Sequence, residues 1–224
     1  MNQRSLSLSL IVSAGLFVSG ASHAQLNLQQ FGIGGGNSSN SATAPSSGGV
    51  TQLLQSYVGA NQQVLSGQSS LASAMGMGSA ADKAQQAAGM LSGGTPSAST
   101  LSQVGSTQQS LSQTLTQAFA SGGTPSGAPV NKQAFTDGLS SLGKGVSQYS
   151  SLKSGLGSLG QMSPTSMLQS GLNPQTAQAA SYIAQSAPGQ LQSLMSTLSA
   201  AVQFASSHGI SVPSIATTAL EGVQ

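Results

Sequence analysis

Residues 50–65 read Val-Thr-Gln-Leu-Leu-Gln-Ser-Tyr-Val-Gly-Ala-Asn-Gln-Gln-Val-Leu. Within them Val50, Leu53, Leu54, Tyr57, Val58, Val64 and Leu65 recur mostly at steps of three and four, the period of a helix with one apolar face. The remaining positions carry Gln, Asn, Thr and Ser, so the other face is polar without being charged. Such a helix is stable only when its stripe packs against others of the same kind. The stretch therefore predicts an all-α body that begins at Val50.

Neighbouring segments repeat the pattern. An Ala-rich segment from about Leu71 to Leu91 has a small apolar face (Ala74, Met75, Ala84, Ala87, Ala88), suited to close helix–helix approach. A third carries Leu101, Val104, Leu111, Leu115 and Phe119, with Gln108 in the same seam. A fourth carries Phe135, Leu139, Leu142, Val146, Tyr149 and Leu152. Alternating steps of three and four are the mark of helices in an antiparallel bundle. Further on, Ala177, Ala180, Ile183 and Ala184 mark a helix over 174–187. Leu191, Leu194, Met195, Leu198, Val202 and Ala205 mark another, which Pro188 is expected to open. Gly209 ends it, Ile210, Val212 and Pro213 turn the chain, and Ile215–Leu220 forms a short closing helix. No segment sustains period-two alternation. The expected fold is a single irregular antiparallel bundle of five to seven helices over residues 50–224.

Gly and Pro write the boundaries. Ser-Gly-Gly-Thr-Pro-Ser occurs at Ser92–Ser97 and again at Ser121–Ser126. Gly supplies a left-handed residue after a helix end, Thr is a competent N-cap, and Pro suits the first helical position. The hexapeptide is thus expected to stop one helix and start the next. Ser163-Pro164 and Asn173-Pro174 are further cap-then-Pro pairs.

The first 24 residues differ in kind. Met1–Arg4 carries a positive charge, Leu6–Val18 is apolar, and Ser22-His23-Ala24 places small residues at −3 and −1 before Gln25. This matches a bacterial-style secretory signal peptide cleaved after Ala24, which predicts a periplasmic or secreted protein. Residues 25–49, rich in Gly, Ser and Asn, read as a flexible leader.

Charge is the other organising fact. The chain has five Lys or Arg and three Asp or Glu in 224 residues, 4% where a soluble domain usually carries roughly a quarter. In their place stand 45 Ser, 27 Gln and 29 Gly. A nucleic-acid face needs clustered Lys and Arg, so no nucleic-acid partner is expected. No mature segment approaches the ~20 apolar residues of a membrane span. With no Cys, disulfides are excluded.

Candidate chemistry is correspondingly thin. Gly155-Leu156-Gly157-Ser158-Leu159-Gly160 matches GxGxxG, but a helix precedes it where a dinucleotide site needs a strand. The next acidic residue is Glu221, so the hexapeptide is expected to be a loop between helices. His208, which would have to serve any Ser–His–acid triad, sits before Gly209 and reads as a helix C-terminal cap. Asp82 and Asp137 read as solvated positions, and a glycosidase's carboxylate pair would need two of Asp82, Asp137 and Glu221 to converge from three different helices, which nothing in the sequence suggests. With no Cys and one mature His, zinc and calcium ligand sets are missing; Met75, Met77, Met162, Met167 and Met195 are expected to fill core gaps. Phe119, Phe135, Phe204, Tyr57, Tyr149 and Tyr182 fall on core-facing positions. No catalytic, cofactor-binding or metal-ligating residue is assigned, and no cofactor is expected.

The function expected on these grounds is non-enzymatic: an exported binding or accessory protein whose partner is another protein or an apolar ligand held between helices. The alternative is a self-associating structural protein of the cell surface or matrix, since a neutral Ser/Gln surface lacks charge repulsion. Membrane activity fits less well, because the polar faces lack the Lys and Arg that anionic lipids attract.

Overall fold

A computed structural model describes residues 47–124 and 127–222, all within one compact unit. The expected signal peptide with its cleavage after Ala24, and all of the expected leader but Ser47–Gly49, lie outside the described residues. The described chain forms seven helices and no strand: α1 (Ser47–Ala74), α2 (Gly78–Met90), α3 (Ala98–Ala120), α4 (Lys132–Gly160), α5 (Pro164–Gln169), α6 (Pro174–Ser207) and α7 (Ser214–Glu221). The all-α bundle expected from the apolar periodicity is the observed fold.

Each apolar position named for α1 except Val58 is buried, and the stripe runs on through Leu71 and Ala74. Helix α1 begins three residues ahead of Val50, so Ser47-Gly48-Gly49 belongs to the helix and not to the leader. The Ala-rich segment is not one helix. Gly76 takes a left-handed φ of 71° and ends α1, and α2 starts afresh after Met77 with Ala80, Ala81, Ala84 and Ala87 buried. Ala alone cannot signal where a helix stops, because it favours helix on both sides of the break.

The repeated hexapeptide stops helices as expected, with Gly94 at φ 97° and Gly122 at φ 72°. It does not start them with Thr-Pro. Ser97 caps α3 by accepting from the Thr100 N–H at 3.1 Å, and Asn131 caps α4 by accepting from the Ala134 N–H at 3.1 Å. The pairs Ser163-Pro164 and Asn173-Pro174 behave as expected: Ser163 Oγ accepts from the Ser166 N–H, Asn173 Oδ1 accepts from the Thr176 N–H, and Pro occupies the first turn.

Two glycine- or proline-based expectations are overturned. Gly155–Gly160 is the last part of helix α4, because Leu152, Leu156 and Leu159 continue its buried stripe at steps of four and three. Pro188 does not open a helix but lies inside the 34-residue α6. Its ring is exposed and stands outside the core, and the buried residues Ala187, Leu194 and Leu198 hold the helix on either side. What the helix loses there is the N–H that Ala184 would have accepted.

Helices α1 and α4 run antiparallel over most of their lengths and meet through missing side chains. A Cβ on Gly67 would lie 2.6 Å from the Leu142 backbone nitrogen, one on Gly138 would lie 2.9 Å from the Leu71 nitrogen, and one on Gly145 would lie 3.0 Å from the Val64 nitrogen. Gly143 makes the equivalent notch for α7, against Ala216. At one end of the bundle Phe119, Phe135 and Phe204 form a triangle with ring centroids 5.3 to 5.6 Å apart. Burial of each such ring is worth about 1.5–3 kcal/mol. Because Phe119 meets Phe204 while Gln108 and Gly105 lie beside the Tyr182–Leu194 stretch, α3 and α6 run in the same direction.

Candidate functional site

Helix α6 is flanked by two clefts of opposite character. On its α4 side lies a groove of about 540 Å³, within the size range of small-ligand sites. Its α4 wall is Tyr149, Lys153, Leu156, Gly157 and Gly160, positions that recur on one helical face. The α6 wall is formed by Ala184, Ala187, Pro188 and Leu191, with Gln192 and Met195 at one end. Small residues make the space. A Cβ on Gly157 would touch nothing within 4 Å, and one on Gly160 would come only to 3.9 Å from the Ala184 Cβ. Lys153 is the single charged residue of the wall, and it is exposed.

On the α3 side lies a polar cleft of about 370 Å³, lined by Gly105, Gln108, Ser112, Tyr182, Ser186 and Gln190 among others. Its floor is tied to the core by two phenols. Tyr57 Oη donates to Gln190 Oε1 at 2.5 Å and Tyr149 Oη donates to the same oxygen at 3.0 Å. The two rings meet edge to face, with centroids 5.3 Å apart. Burial raises the pKa of both phenols above the ordinary tyrosine value, and for Tyr149 the nearby Tyr57 adds to the rise. Both are therefore neutral donors over the physiological range.

The residues weighed from the sequence as chemistry do not converge. Asp82 on α2, Asp137 on α4 and Glu221 on α7 are all exposed, and Asp137 accepts only from the Gln133 side chain four residues back. His208 is the residue after α6, as expected of a cap. Its Nδ1 lies 2.9 Å from the Phe204 carbonyl oxygen and 3.0 Å from Ser207 Oγ, and its Nε2 lies 3.1 Å from the Gly122 carbonyl oxygen. Its ring stacks on Phe204 at 3.9 Å. The imidazole thus joins the C-terminal ends of α6 and α3. Met75 and Met167 are fully buried in the core, while Met195 borders the apolar groove. Among the described residues no three His, Asp or Glu side chains group as metal ligands, and no helix is long and apolar enough to cross a membrane.

The groove residues Gly157, Gly160 and Pro188 were not legible as a site, because Gly and Pro read as punctuation. The usable signal was the three-residue spacing of Gly157 and Gly160 on a helix whose leucines continue. No protein-family model, curated protein or solved structure matches this chain.

Proposed function

We propose that the protein is an exported, non-enzymatic binding protein that holds one small apolar molecule in the groove between α4 and α6. The observation that carries this reading is a groove of about 540 Å³ walled by Leu156, Ala184, Ala187, Pro188, Leu191 and Met195 and left open by Gly157 and Gly160. An apolar ligand would gain about 0.8 kcal/mol for each CH₂ it buries there. Lys153, alone at the rim, suits a ligand with an acidic head, such as a long-chain carboxylate. Export rests on the charged, apolar and small-residue zones of Met1–Ala24.

Native mass spectrometry of protein recovered from its producing cells tests both parts. The expected species begins at Gln25 and carries one small apolar adduct per chain, which delipidation removes and palmitate restores. Gly157→Leu, whose side chain has room to enter the groove, is expected to abolish the adduct while the helix stays intact. A chain that retains residues 1–24 refutes export. A chain that takes up neither cellular cargo nor palmitate refutes the ligand. A dimer without cargo would instead favour the self-associating structural protein.

A further inference from the structure

The polar cleft on the other side of α6 carries an inference independent of the apolar groove. Gln108 is 2% exposed, and neither its amide oxygen nor its amide nitrogen has a hydrogen-bond partner. Gln68 is fully buried behind it. Its Nε2 donates to the Gln108 carbonyl at 3.3 Å and to Ser112 Oγ at 3.0 Å, while its Oε1 has no partner. Buried side-chain amides are ordinarily satisfied, and an unsatisfied one destabilises the fold. Two neighbouring glutamines thus leave three buried polar atoms without a partner, and the side chain of one of them, Gln108, lines an open cleft.

We propose that this cleft binds a neutral oligosaccharide. The lining excludes most other ligands. No wall residue is charged, so phosphates, nucleic acids and charged peptides find no counter-ion. Leu194 is the only aliphatic side chain larger than Ala in the wall, so an amphipathic helix finds no row of anchors. The described residues include no strand edge to pair with an extended peptide. What remains is a wall of amides and hydroxyls, each able to donate and accept. A sugar's hydroxyls do the same, and a side-chain amide can meet two adjacent hydroxyls at once.

Shape points the same way. The cleft continues into a shallower trough of about 480 Å³ that shares Ser112, Gly189 and Ser193 with it. Together the two run from Gly105 to Gln117 along α3, roughly 18 Å at 1.5 Å per residue, long enough for several linked rings. Tyr182, half-buried, lines the cleft at the Gly105 end. Gly105 lets two polar side chains close that end against α3: a Cβ there would lie 2.6 Å from Gln190 Nε2 and 2.8 Å from Tyr182 Oη. Gly189 keeps the middle open, with nothing within 4 Å of a Cβ.

Isothermal titration and saturation-transfer NMR on the purified protein test the assignment. The probes are maltohexaose, cellohexaose and N-acetylchitohexaose, with hexagalacturonate as charged control and a neutral Gly-Ser-Gln peptide as amide control. At least one neutral hexasaccharide is expected to bind and both controls to fail. Gln108→Leu is expected to weaken binding at least ~10-fold and to raise Tm by ~2–6 °C, because an apolar isostere relieves the unpaired amide. Gly189→Leu adds helix propensity where there is room and is expected to block the trough without loss of fold. If Gln108→Leu does not fold, Gly189→Leu decides alone. Three outcomes overturn the proposal: no neutral hexasaccharide binds at millimolar concentration, the peptide binds in its place, or sugar binding survives both variants. Palmitate uptake is expected to be unchanged in both, which separates this site from the apolar groove.

Discussion

Where α1 meets α4, Gly67, Gly138 and Gly145 bring one backbone against the other; α3 meets α6 across the side chains of Gln108, Tyr182 and Gln190. The first seam discards side chains until nothing more can fit. The second keeps long polar side chains and leaves some of their atoms unpaired. A chain with so few charges has two ways to bring helices together, and it uses both. Close packing of glycine faces needs no polar partner, and its stability is dispersion and burial. The polar seam depends on what occupies it. The first seam is closed by packing alone, whereas the second is packed at its Phe119–Phe204 end and leaves polar atoms unpaired beside its cleft.

The largest test of this contrast is Gly67→Ala. The new methyl carbon would sit 2.6 Å from the backbone nitrogen of Leu142 and 2.9 Å from its Cα, neither of which can rotate away. Helix α4 would have to shift as a whole, at about 3 kcal/mol. Thermal unfolding should show a fall in Tm of ~6–12 °C. A change of less than 1 °C would mean the seam is loose and the contrast unfounded.

The next effect reads the floor that the two seams share. Tyr57 lies on α1 and Tyr149 on α4, and both donate to Gln190 of α6. Their folded pKa values are raised by burial, so the folded state holds these protons more tightly than the unfolded chain does. Stability from this source is complete below the ordinary tyrosine pKa of about 10 and falls as pH rises from there toward the folded values. Each phenol contributes a slope of about 1.4 kcal/mol per pH unit in that window. Absorbance at alkaline pH should show both phenolates appearing together with loss of helix, and Tyr149→Phe should make the loss shallower by one proton. Phenolate formation in a chain that is still helical would break the claim that these rings are sealed in.

The two seams were unequally visible in the sequence. The stripe of α1 and the steps of α4 are set by which residues are apolar, and periodicity reports that directly. Even Gln108 stood out as a polar residue in an apolar seam. The glycine notches were hidden, because Gly is ordinarily a helix breaker and only the facing backbone turns Gly67 or Gly145 into a contact. Gly155–Gly160 stays helical because Leu156 and Leu159 continue the buried stripe, and Pro188 stays inside α6 because an exposed proline in a well-buried helix breaks only one hydrogen bond. Both clefts are left open by absent atoms, Cβ at Gly157 and Gly189. Absence has no period.

A smaller prediction matches the first with its counterpart in the polar seam. Gly105→Ala also places a methyl within 3 Å of heavy atoms, but these are Gln190 Nε2 and Tyr182 Oη, the ends of long side chains. They can swing into the cleft, so the cost should be about 1 kcal/mol, a third of that at Gly67. Urea unfolding of the two variants side by side gives the ratio. Equal losses would show that the α3–α6 seam is packed as rigidly as α1–α4.

The smallest effect carries the opposite sign. Gly59 in α1 and Gly189 in α6 are both interior helix positions with nothing within 4 Å of a Cβ. Neither notch is needed for packing, so Ala at either site should stabilise the helix by about 0.5–1 kcal/mol through the backbone entropy Gly loses on folding. The expected Tm gains are ~1–4 °C and equal at the two sites. Equality matters, because it would show that Gly67 differs from Gly59 only in what faces it, the backbone of Leu142. A gain at Gly59 with a loss at Gly189 would show instead that the α3–α6 seam closes up in solution, with no trough left for a ligand to enter.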